Sequence, residues 1–418
     1  METPALPRRL ALTAGCNQLI NWGISFYMPG TFAHAITADR SWSSPEIYLG
    51  LTLAMLVMAI VSPFVAPLLA RFGGQRVVMS GTLLIAVSCL SMAFTPTLSG
   101  WYGAWLLTGI GMRLSLYDAL FSALVNLYGP QARRTISRVT LAGGLASAVF
   151  WPLGDALLNV MGWQDALKIY ALFGLLSALL LRRFPRQRFT VKPKACTQVS
   201  PHDRRNGWLY ATFIALITFV SNGTSTHLPE FIASFGLPVA VGMLWGMGQT
   251  GARLMEVLAG ARLMEVLAGA RLTPLKLTLF TALAMPLCFL IGLSSDMLAW
   301  CAAGFVFGFG AINGLVTIVK ATLPLELFST ERYASRTGLL LIPGQLMAAA
   351  SPFAYAWLNK SLGITGGMWV SAGLTLVIAG FAVALVRSPG KQTVSHRIPS
   401  ATLTNRYKTP AEANIPDT

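Results

Sequence analysis

The stretch that decides the fold is the uncharged run IYLGLTLAMLVMAIVSPFVAPLLA, which occupies residues 47–70. A helix of about 20 apolar residues crosses the hydrocarbon core of a bilayer, and this run is longer than that. Comparable uncharged runs recur along the chain, for example at residues 10–38 and 77–112. The sequence therefore predicts an all-α polytopic membrane protein.

The composition agrees with this prediction. Of the 418 residues, 54% are hydrophobic and only 11% are charged, and the mean hydropathy is +0.61. Soluble domains contain about 25% charged residues. The apolar content excludes a disordered chain, a collagen and a nucleic-acid-binding domain, despite a net charge of +16. The five cysteines show no CxxC or metal-ligand spacing, so we expect neither disulfides nor a metal site.

Runs of spanning length number twelve, in two groups of six around a basic, polar segment. We therefore predict an N-terminal six-helix bundle at residues 1–181, a basic central loop at 182–206, a C-terminal bundle at 207–387 and a disordered tail at 388–418.

The positive charges predict the orientation in the membrane. Twenty-five Lys and Arg residues fall on the side of the N-terminus, and three fall on the opposite side. An excess of Lys and Arg marks the cytoplasmic side of a membrane protein. Both termini and the central loop are therefore expected in the cytoplasm, where anionic lipid headgroups balance the charge.

Matches at an offset of 200 residues indicate an internal duplication. The first and seventh predicted helices share Gly, Ser and Pro, and the fifth and eleventh share Pro, Ala, Leu and Asn. Duplicated helix bundles are typical of secondary transporters. The matched residues are Gly23, Ser25, Pro29, Pro152, Ala156, Leu158 and Asn159, each with its counterpart 200 positions later.

The loop at residues 66–76 (APLLARFGGQR) resembles a degraded signature of the major facilitator superfamily, Gly-x-x-x-Asp-Arg-x-Gly-Arg-Arg. Arg71 and Gly73 fit the pattern and Arg76 follows one residue after its last Arg, whereas Ala66 and Ala70 replace its Gly and Asp. The resemblance implies a conformational-switch loop at Arg71, Gly73 and Arg76. The two replacements leave the charge relay usually assigned to this loop without its acidic member.

Two further stretches, LYDALF at 116–121 and NGLVTIVKATLP at 313–324, resemble a bacterial branch of monocarboxylate-porter-type and arsenical-efflux-type facilitators. The resemblance implies two pseudo-symmetric six-helix bundles with a cavity lined by helices 1, 4, 7 and 10. It also implies a monomeric transporter in the cytoplasmic (inner) membrane of a bacterium, with no cofactor.

Polar side chains inside predicted helices are candidate site residues because they are expensive to bury in lipid. Asn21 in the first helix and Asn222 in the seventh either line the cavity or form hydrogen bonds between helices.

Arg113, Tyr117 and Asp118 lie inside the fourth helix, and Lys320 lies in the tenth. Arg113 and Asp118 are about 140° apart on a regular helix, so we predict that Asp118 finds its partner on another helix. Two cavity cations would suit an anionic substrate, with Asp118 as counter-ion or proton carrier. Alternatively Asp118 ties Arg113 or Lys320 structurally and touches no substrate. A further alternative is that Lys320 lies near the cytoplasmic end and reaches the headgroups.

His227 and Glu230, near the outer end of the seventh helix, form either a gate or protonation site or a solvated helix end. Asp155 in the fifth helix is a further candidate for proton coupling, as a partner for a cavity cation.

A nine-residue segment, GARLMEVLA at residues 251–259, is repeated at 260–268. The second copy either projects harmlessly into the cytoplasm or disturbs the connection between helices 8 and 9.

The sequence contains no catalytic constellation and no Gly-Lys-Ser/Thr phosphate loop, so we predict a gradient-driven transporter that is not an enzyme. The expected partners are the bilayer, a small organic anion and protons, without nucleic acid. Efflux of an amphipathic toxicant or arsenical is the first alternative. A transport-inactive membrane sensor derived from a transporter is the second.

Overall fold

The computed structural model describes residues 8–128, 132–184, 201–259, 274–295, 299–327, 340 and 342–387. The segments at 185–200, 260–273 and 388–418 lie outside the described residues, so most of the predicted central loop, the second copy of the duplicated segment and the predicted tail are not covered. Thirteen α-helices and two short 3-10 turns make up the described ranges, without any strand in them.

The helices of the first part of the chain are α1 (Arg8–Ile24), α2 (Met28–Arg40), α3 (Ser44–Phe72), α4 (Gly74–Phe94), α5 (Leu98–Ser115), α6 (Tyr117–Tyr128), α7 (Ala132–Gly144) and α8 (Ala146–Leu180). Those of the second part are α9 (Pro201–Ser234), α10 (Met243–Ala259), α11 (Pro274–Leu293), α12 (Ala299–Leu327) and α13 (Ile342–Arg387). The 3-10 turns are Leu181–Arg183 and Val239–Gly242. Helix α9 begins within the predicted central loop, six residues before the predicted start of the second bundle at 207.

The predicted first helix is two helices in the structure, since the chain leaves helical geometry at residues 25–27. The Tyr27 amide donates to the carbonyl of Trp22, 3.1 Å away and five residues back. Pro29, which follows in the first turn of α2, fits a helix start because no intrahelical partner is needed there.

Helices α8 and α13 each contain a glycine with a positive φ. Gly162 has φ 79° and ψ 170°, and Gly363 has φ 72° and ψ 168°. Side chains disfavour this conformation, so the chain turns at glycine in both places. The two glycines are 201 positions apart, close to the offset of the sequence matches. Each of these long elements therefore consists of two helices joined at a sharp bend.

Six stretches of the described chain are long and apolar enough to cross a membrane: α3, α4, residues 138–180, α11, residues 300–317 and α13. Two of the six contain the glycine bends at Gly162 and Gly363 and so hold two helices each. The chain is therefore an all-α membrane protein.

Close backbone packing recurs at matched positions. A methyl group on Gly109 of α5 would lie 2.4 Å from the Ala54 carbonyl oxygen of α3. A methyl group on Gly310 of α12 would lie 2.4 Å from the Trp245 carbonyl oxygen of α10. Small residues at such crossings allow membrane helices to approach backbone to backbone. Gly109 and Gly310 are again 201 positions apart, so the same helix contact is built twice.

Most helices pack within one of two groups, the N-terminal group (α1–α8) and the C-terminal group (α9–α13). Between the groups, α3 packs against α13, α8 against α10, and α2 against α9. Within the described ranges, α5, α6 and α12 pack mainly inside their own group.

Candidate functional site

Arg113 and Asp118 form an ion pair between Nη1 and Oδ2. The prediction that they do not pair with each other is wrong, because the predicted fourth helix is interrupted. Leu116 is extended, with φ −75° and ψ −173°, and separates α5 from α6. The break rotates Asp118 onto the side of Arg113. At 1.5 Å per residue, Arg113 lies about 22 Å from either end of residues 98–128.

The two members of the pair differ in accessibility. The Asp118 side chain is 65% exposed, whereas that of Arg113 is 18% exposed. On α6, Leu120, Ala123 and Leu124 are buried in a cluster with side chains of α3 and α4, so Asp118 lies on the opposite side of the helix. The protein therefore leaves most of the carboxylate uncovered, while it covers most of the guanidinium.

Arg113 keeps one hydrogen-bonding group unused. Its Nε is buried and has no acceptor among the described residues. A guanidinium presents five N–H donors in a planar fork that matches a carboxylate. Arg113 therefore has the capacity to bind a second acceptor.

An aromatic wall, formed by Trp22, Tyr117 and Phe121, continues from this pair. The Tyr117 ring lies 5.2 Å from that of Trp22 and stacks on that of Phe121 at 5.0 Å. The Tyr117 hydroxyl donates to the Thr140 carbonyl at 3.4 Å. All three rings are half-buried. They offer flat apolar surface next to a charged pair.

Asn21 belongs to a buried polar network inside the N-terminal group. Its Nδ2 donates to Thr82 Oγ1 at 2.9 Å, and Asn17 Nδ2 donates to Thr82 at 3.1 Å and to Ser177 Oγ at 2.8 Å. These bonds join α1 to α4 and α8. Of the two roles open for Asn21, its observed contacts are those of a bond between helices. Thr82 and Ser177 escaped the sequence analysis because single hydroxyls are common in apolar helices.

The other intramembrane candidates lie apart from the Arg113–Asp118 pair. Asn222 is half-buried on α9, and its carbonyl oxygen accepts hydrogen bonds from two side-chain hydroxyls. Lys320 is half-buried seven residues before the end of α12, and its carbonyl accepts from Tyr210 at 3.2 Å. In the part of the chain that the structure describes, neither Lys320 nor Asp155 forms an ion pair.

The second cluster, the His227 junction, connects the two helix groups. His227 Nδ1 lies 2.9 Å from Glu230 Oε2, and the Tyr48 hydroxyl of α3 donates to Glu230 Oε1 at 3.0 Å. The His227 ring lies 4.0 Å from the Tyr48 ring, centroid to centroid. His227 is fully buried and α9 continues to Ser234, so the alternative of a solvated helix end is wrong for His227.

The same histidine also contacts α13. His227 Nε2 lies 2.9 Å from the carbonyl oxygen of Pro352. Pro352 has no N–H, and the Ser351 hydroxyl donates instead to the Ala348 carbonyl at 3.0 Å. The histidine therefore contacts α13 at the point where that helix lacks a backbone hydrogen bond.

The predicted switch loop joins α3 to α4. Gly73 adopts φ 82° and ψ 155°, a conformation that explains the glycine, while Arg71 and Arg76 are exposed. Gln75, which the sequence analysis did not single out, donates to the carbonyls of Leu181 at 2.9 Å and Arg182 at 2.8 Å. It ties the loop to the end of α8 inside the same helix group.

Comparisons with known proteins agree with this architecture. The chain is 26% identical over 357 residues to the 2-nitroimidazole transporter of Escherichia coli (strain K12), covering 82% of this chain and 87% of that protein. It is 31% identical over 126 residues to monocarboxylate transporter 13 of Rattus norvegicus, covering 30% and 29% of the two chains. The crystal structure of D-xylose-proton symporter superposes with a TM-score of 0.70 at 13% identity, covering 91% and 98%.

The likeness to that structure extends to the fold, and the relatives add distant transporter homologues. The family model described as Major Facilitator Superfamily matches residues 10–323, which is most of the chain. The protein is therefore a membrane transporter of small molecules, is not an enzyme, and belongs to the major facilitator superfamily.

Proposed function

We propose that this protein moves a small organic anion together with a proton across the membrane by alternating access. The observation that carries the proposal is the Arg113–Asp118 pair, which lies at mid-depth with its carboxylate exposed. Substrate sites near the bilayer midplane are typical of secondary transporters. An ionised pair at that depth is expensive to bury, which favours a functional role for it.

In the proposed mechanism Asp118 and the substrate compete for Arg113. Without substrate, the Asp118 carboxylate neutralises the guanidinium. Protonation of Asp118 removes its negative charge, and the guanidinium then binds the substrate carboxylate through charge-assisted hydrogen bonds. One proton and one monovalent anion cross together. Release of the proton restores the internal pair and expels the anion.

The architecture that we propose has twelve spans in two six-helix bundles, with both termini in the cytoplasm of a bacterial cell. The glycine bends at Gly162 and Gly363 and the matched crossings at Gly109 and Gly310 support a duplicated unit. The packing of α5, α6 and α12 mainly inside their own groups supports a cavity between the bundles. A single chain then contains a whole pathway, so we propose a monomer.

Efflux of a planar aromatic compound is the second candidate function. It is favoured by the aromatic wall of Trp22, Tyr117 and Phe121, and by the name of the Escherichia coli relative, a 2-nitroimidazole transporter. Flat rings stack favourably on aromatic side chains. Under this alternative Arg113 and Asp118 stay paired, and the substrate binds beside them.

Uptake into proteoliposomes under an imposed pH gradient distinguishes these functions. The substrate panel contains aliphatic and aromatic monocarboxylates and uncharged nitroimidazoles, and Asp118→Asn is compared with wild type. We expect monocarboxylate accumulation in wild type. We expect Asp118→Asn to exchange anions without accumulating them, because its amide cannot carry the proton.

Lys168→Gln provides the matched control. Lys168 forms an exposed ion pair with Asp165 at 2.7 Å, outside the proposed pathway, so its loss leaves accumulation unchanged. Transport of uncharged aromatics that is unchanged by Asp118→Asn and by the pH gradient would overturn the anion proposal in favour of efflux. Absence of flux for every compound would favour the transport-inactive sensor.

A further inference from the structure

We propose that Tyr48, His227 and Glu230 bind one proton and act as a lock between the two helix groups, closed when the proton is present and released when it leaves. This inference rests on the proposed transport function, since it describes how one end of the pathway closes. It assigns a proton site separate from the Arg113–Asp118 pair.

The hydrogen bonds of His227 require that proton. Nδ1 lies 2.9 Å from a Glu230 carboxyl oxygen, and Nε2 lies 2.9 Å from the Pro352 carbonyl oxygen. A carbonyl only accepts hydrogen bonds, so Nε2 must carry a hydrogen. Nδ1 and Glu230 must then share a further proton, as imidazolium with carboxylate or as imidazole with carboxylic acid.

Loss of the shared proton breaks one of these contacts, whichever tautomer remains. With the hydrogen on Nε2, the Nδ1 lone pair faces a carboxylate and repels it. With the hydrogen on Nδ1, the Nε2 lone pair faces the Pro352 carbonyl. A buried polar group without its partner costs about 1–3 kcal/mol, so the arrangement is stable only when protonated.

Breaking either contact weakens the junction between the groups. Glu230 is the acceptor of the Tyr48 hydroxyl, which belongs to α3 of the other group. Pro352 lies on α13, the helix that packs against α3. Because α13 lacks a backbone hydrogen bond at this proline, the helix bends there more easily than a regular helix would.

The surroundings of His227 contain few other titratable groups. Tyr48 approaches from α3 and Tyr355 from α13, with its ring 6.2 Å from the His227 ring, while the contact from α2 is at Gly30. Nearby, Lys360 of α13 attracts Glu46 of α3 across the same junction. That attraction is independent of the shared proton, so the shared proton is the part of the junction that changes with pH.

The proton has a route in and out through Glu230. The Glu230 side chain is 24% exposed, while His227 is fully buried. The charge distribution of the sequence places this end of the bundle outside. Because the closed form binds one proton more than the open form, lower external pH favours closure. A proton arriving from outside would thus shut the outer end behind a bound substrate.

Distance measurements between spin labels test the lock. Labels are attached to Ser99→Cys and Ser361→Cys, two exposed positions near this end in different helix groups, after replacement of the native cysteines. The full-length protein is compared at about pH 5.5 and about pH 8.5, below and above neutrality. We expect a shift to longer distances at the higher pH.

Glu230→Gln separates a proton site from a purely structural contact. The Gln amide donates to Nδ1 of a neutral histidine, and its carbonyl accepts from Tyr48, so every bond is satisfied without the shared proton. We expect this variant to keep the short distance at both pH values. His227→Gln, which cannot titrate, is expected to lose the pH response as well.

Two results would overturn the proposal: a wild-type distance that ignores pH, or a Glu230→Gln distance that lengthens at both pH values. Hydrogen exchange at the start of α3 and around the Gly363 bend of α13 in the native-cysteine protein repeats the test if the labelled protein fails to fold. A pH-dependent label distance in a protein that transports no anion would support the lock and contradict the proposed substrate class. Proton-coupled anion uptake together with a label distance that does not change with pH would contradict the lock and leave the proposed transport function in place.

Discussion

The Arg113–Asp118 pair lies within one helix group, whereas the His227–Glu230 pair contacts both. The first has an exposed carboxylate and leaves a guanidinium donor unused. The second is enclosed, and nearly every polar atom that it offers is taken. Spare capacity suits an exchangeable ligand, and complete satisfaction suits a contact that must be either made or broken. We therefore propose different tasks for these two pairs of similar composition.

Among the substitutions that test this difference between the two pairs, the largest effect is expected at Arg113. Arg113→Gln removes the charge that the substrate anion requires and leaves Asp118 without its partner. Hydrogen bonds to charged groups contribute about 1.5–3 kcal/mol, so we expect anion uptake to fall about 10- to 100-fold. Initial uptake rates in proteoliposomes measure it, with Lys168→Gln as control. Unchanged uptake would assign Arg113 a structural role only.

At the other pair, His227→Gln is expected to change the pH profile more than the maximal rate. The amide holds the junction without titrating, so uptake loses the part of its pH dependence that comes from the lock. Uptake measured from about pH 5.5 to about pH 8.5, across neutrality, reports this change. An intact pH profile in this variant would show that the proton acts elsewhere.

A smaller effect is expected for Tyr48→Phe, which removes the hydrogen bond between the helix groups and keeps the ring on His227. One neutral donor to a carboxylate is worth about 1.5–3 kcal/mol when buried, and less here because Glu230 is partly exposed. We expect longer label distances already at low pH, together with retained anion binding. Loss of binding affinity would mean that the junction also contacts the substrate.

The smallest functional effect is expected for Thr82→Val, which tests whether the Asn17–Asn21 network belongs with either pair. The substitution keeps the shape and removes the hydroxyl that accepts from both amides. We expect a stability loss of about 1 kcal/mol in detergent, seen as a lower unfolding temperature, with unchanged transport. A change in substrate selectivity would instead place this network in the pathway.

Much of the fold was predictable because long apolar runs and repeated Gly and Pro positions are local signals. The structure shows an all-α membrane protein and adds matched glycines at the bend and crossing positions. Interruptions at residues 25–27 and at Leu116 were missed. Both lie in uncharged or nearly uncharged runs, where hydropathy does not distinguish a continuous helix from a broken one.

The amino-acid sequence by itself determined the membrane class, the family resemblance and the identity of the rare charged residues, since each depends on composition or on short spacing. Only the tertiary structure decided which of these side chains pair with each other. Arg113 meets Asp118 because Leu116 is extended, and His227 meets Pro352, 125 positions away, because α9 packs on α13. Hydrogen-bond partners depend on how helices break and cross, and those features arise from packing over the whole bundle.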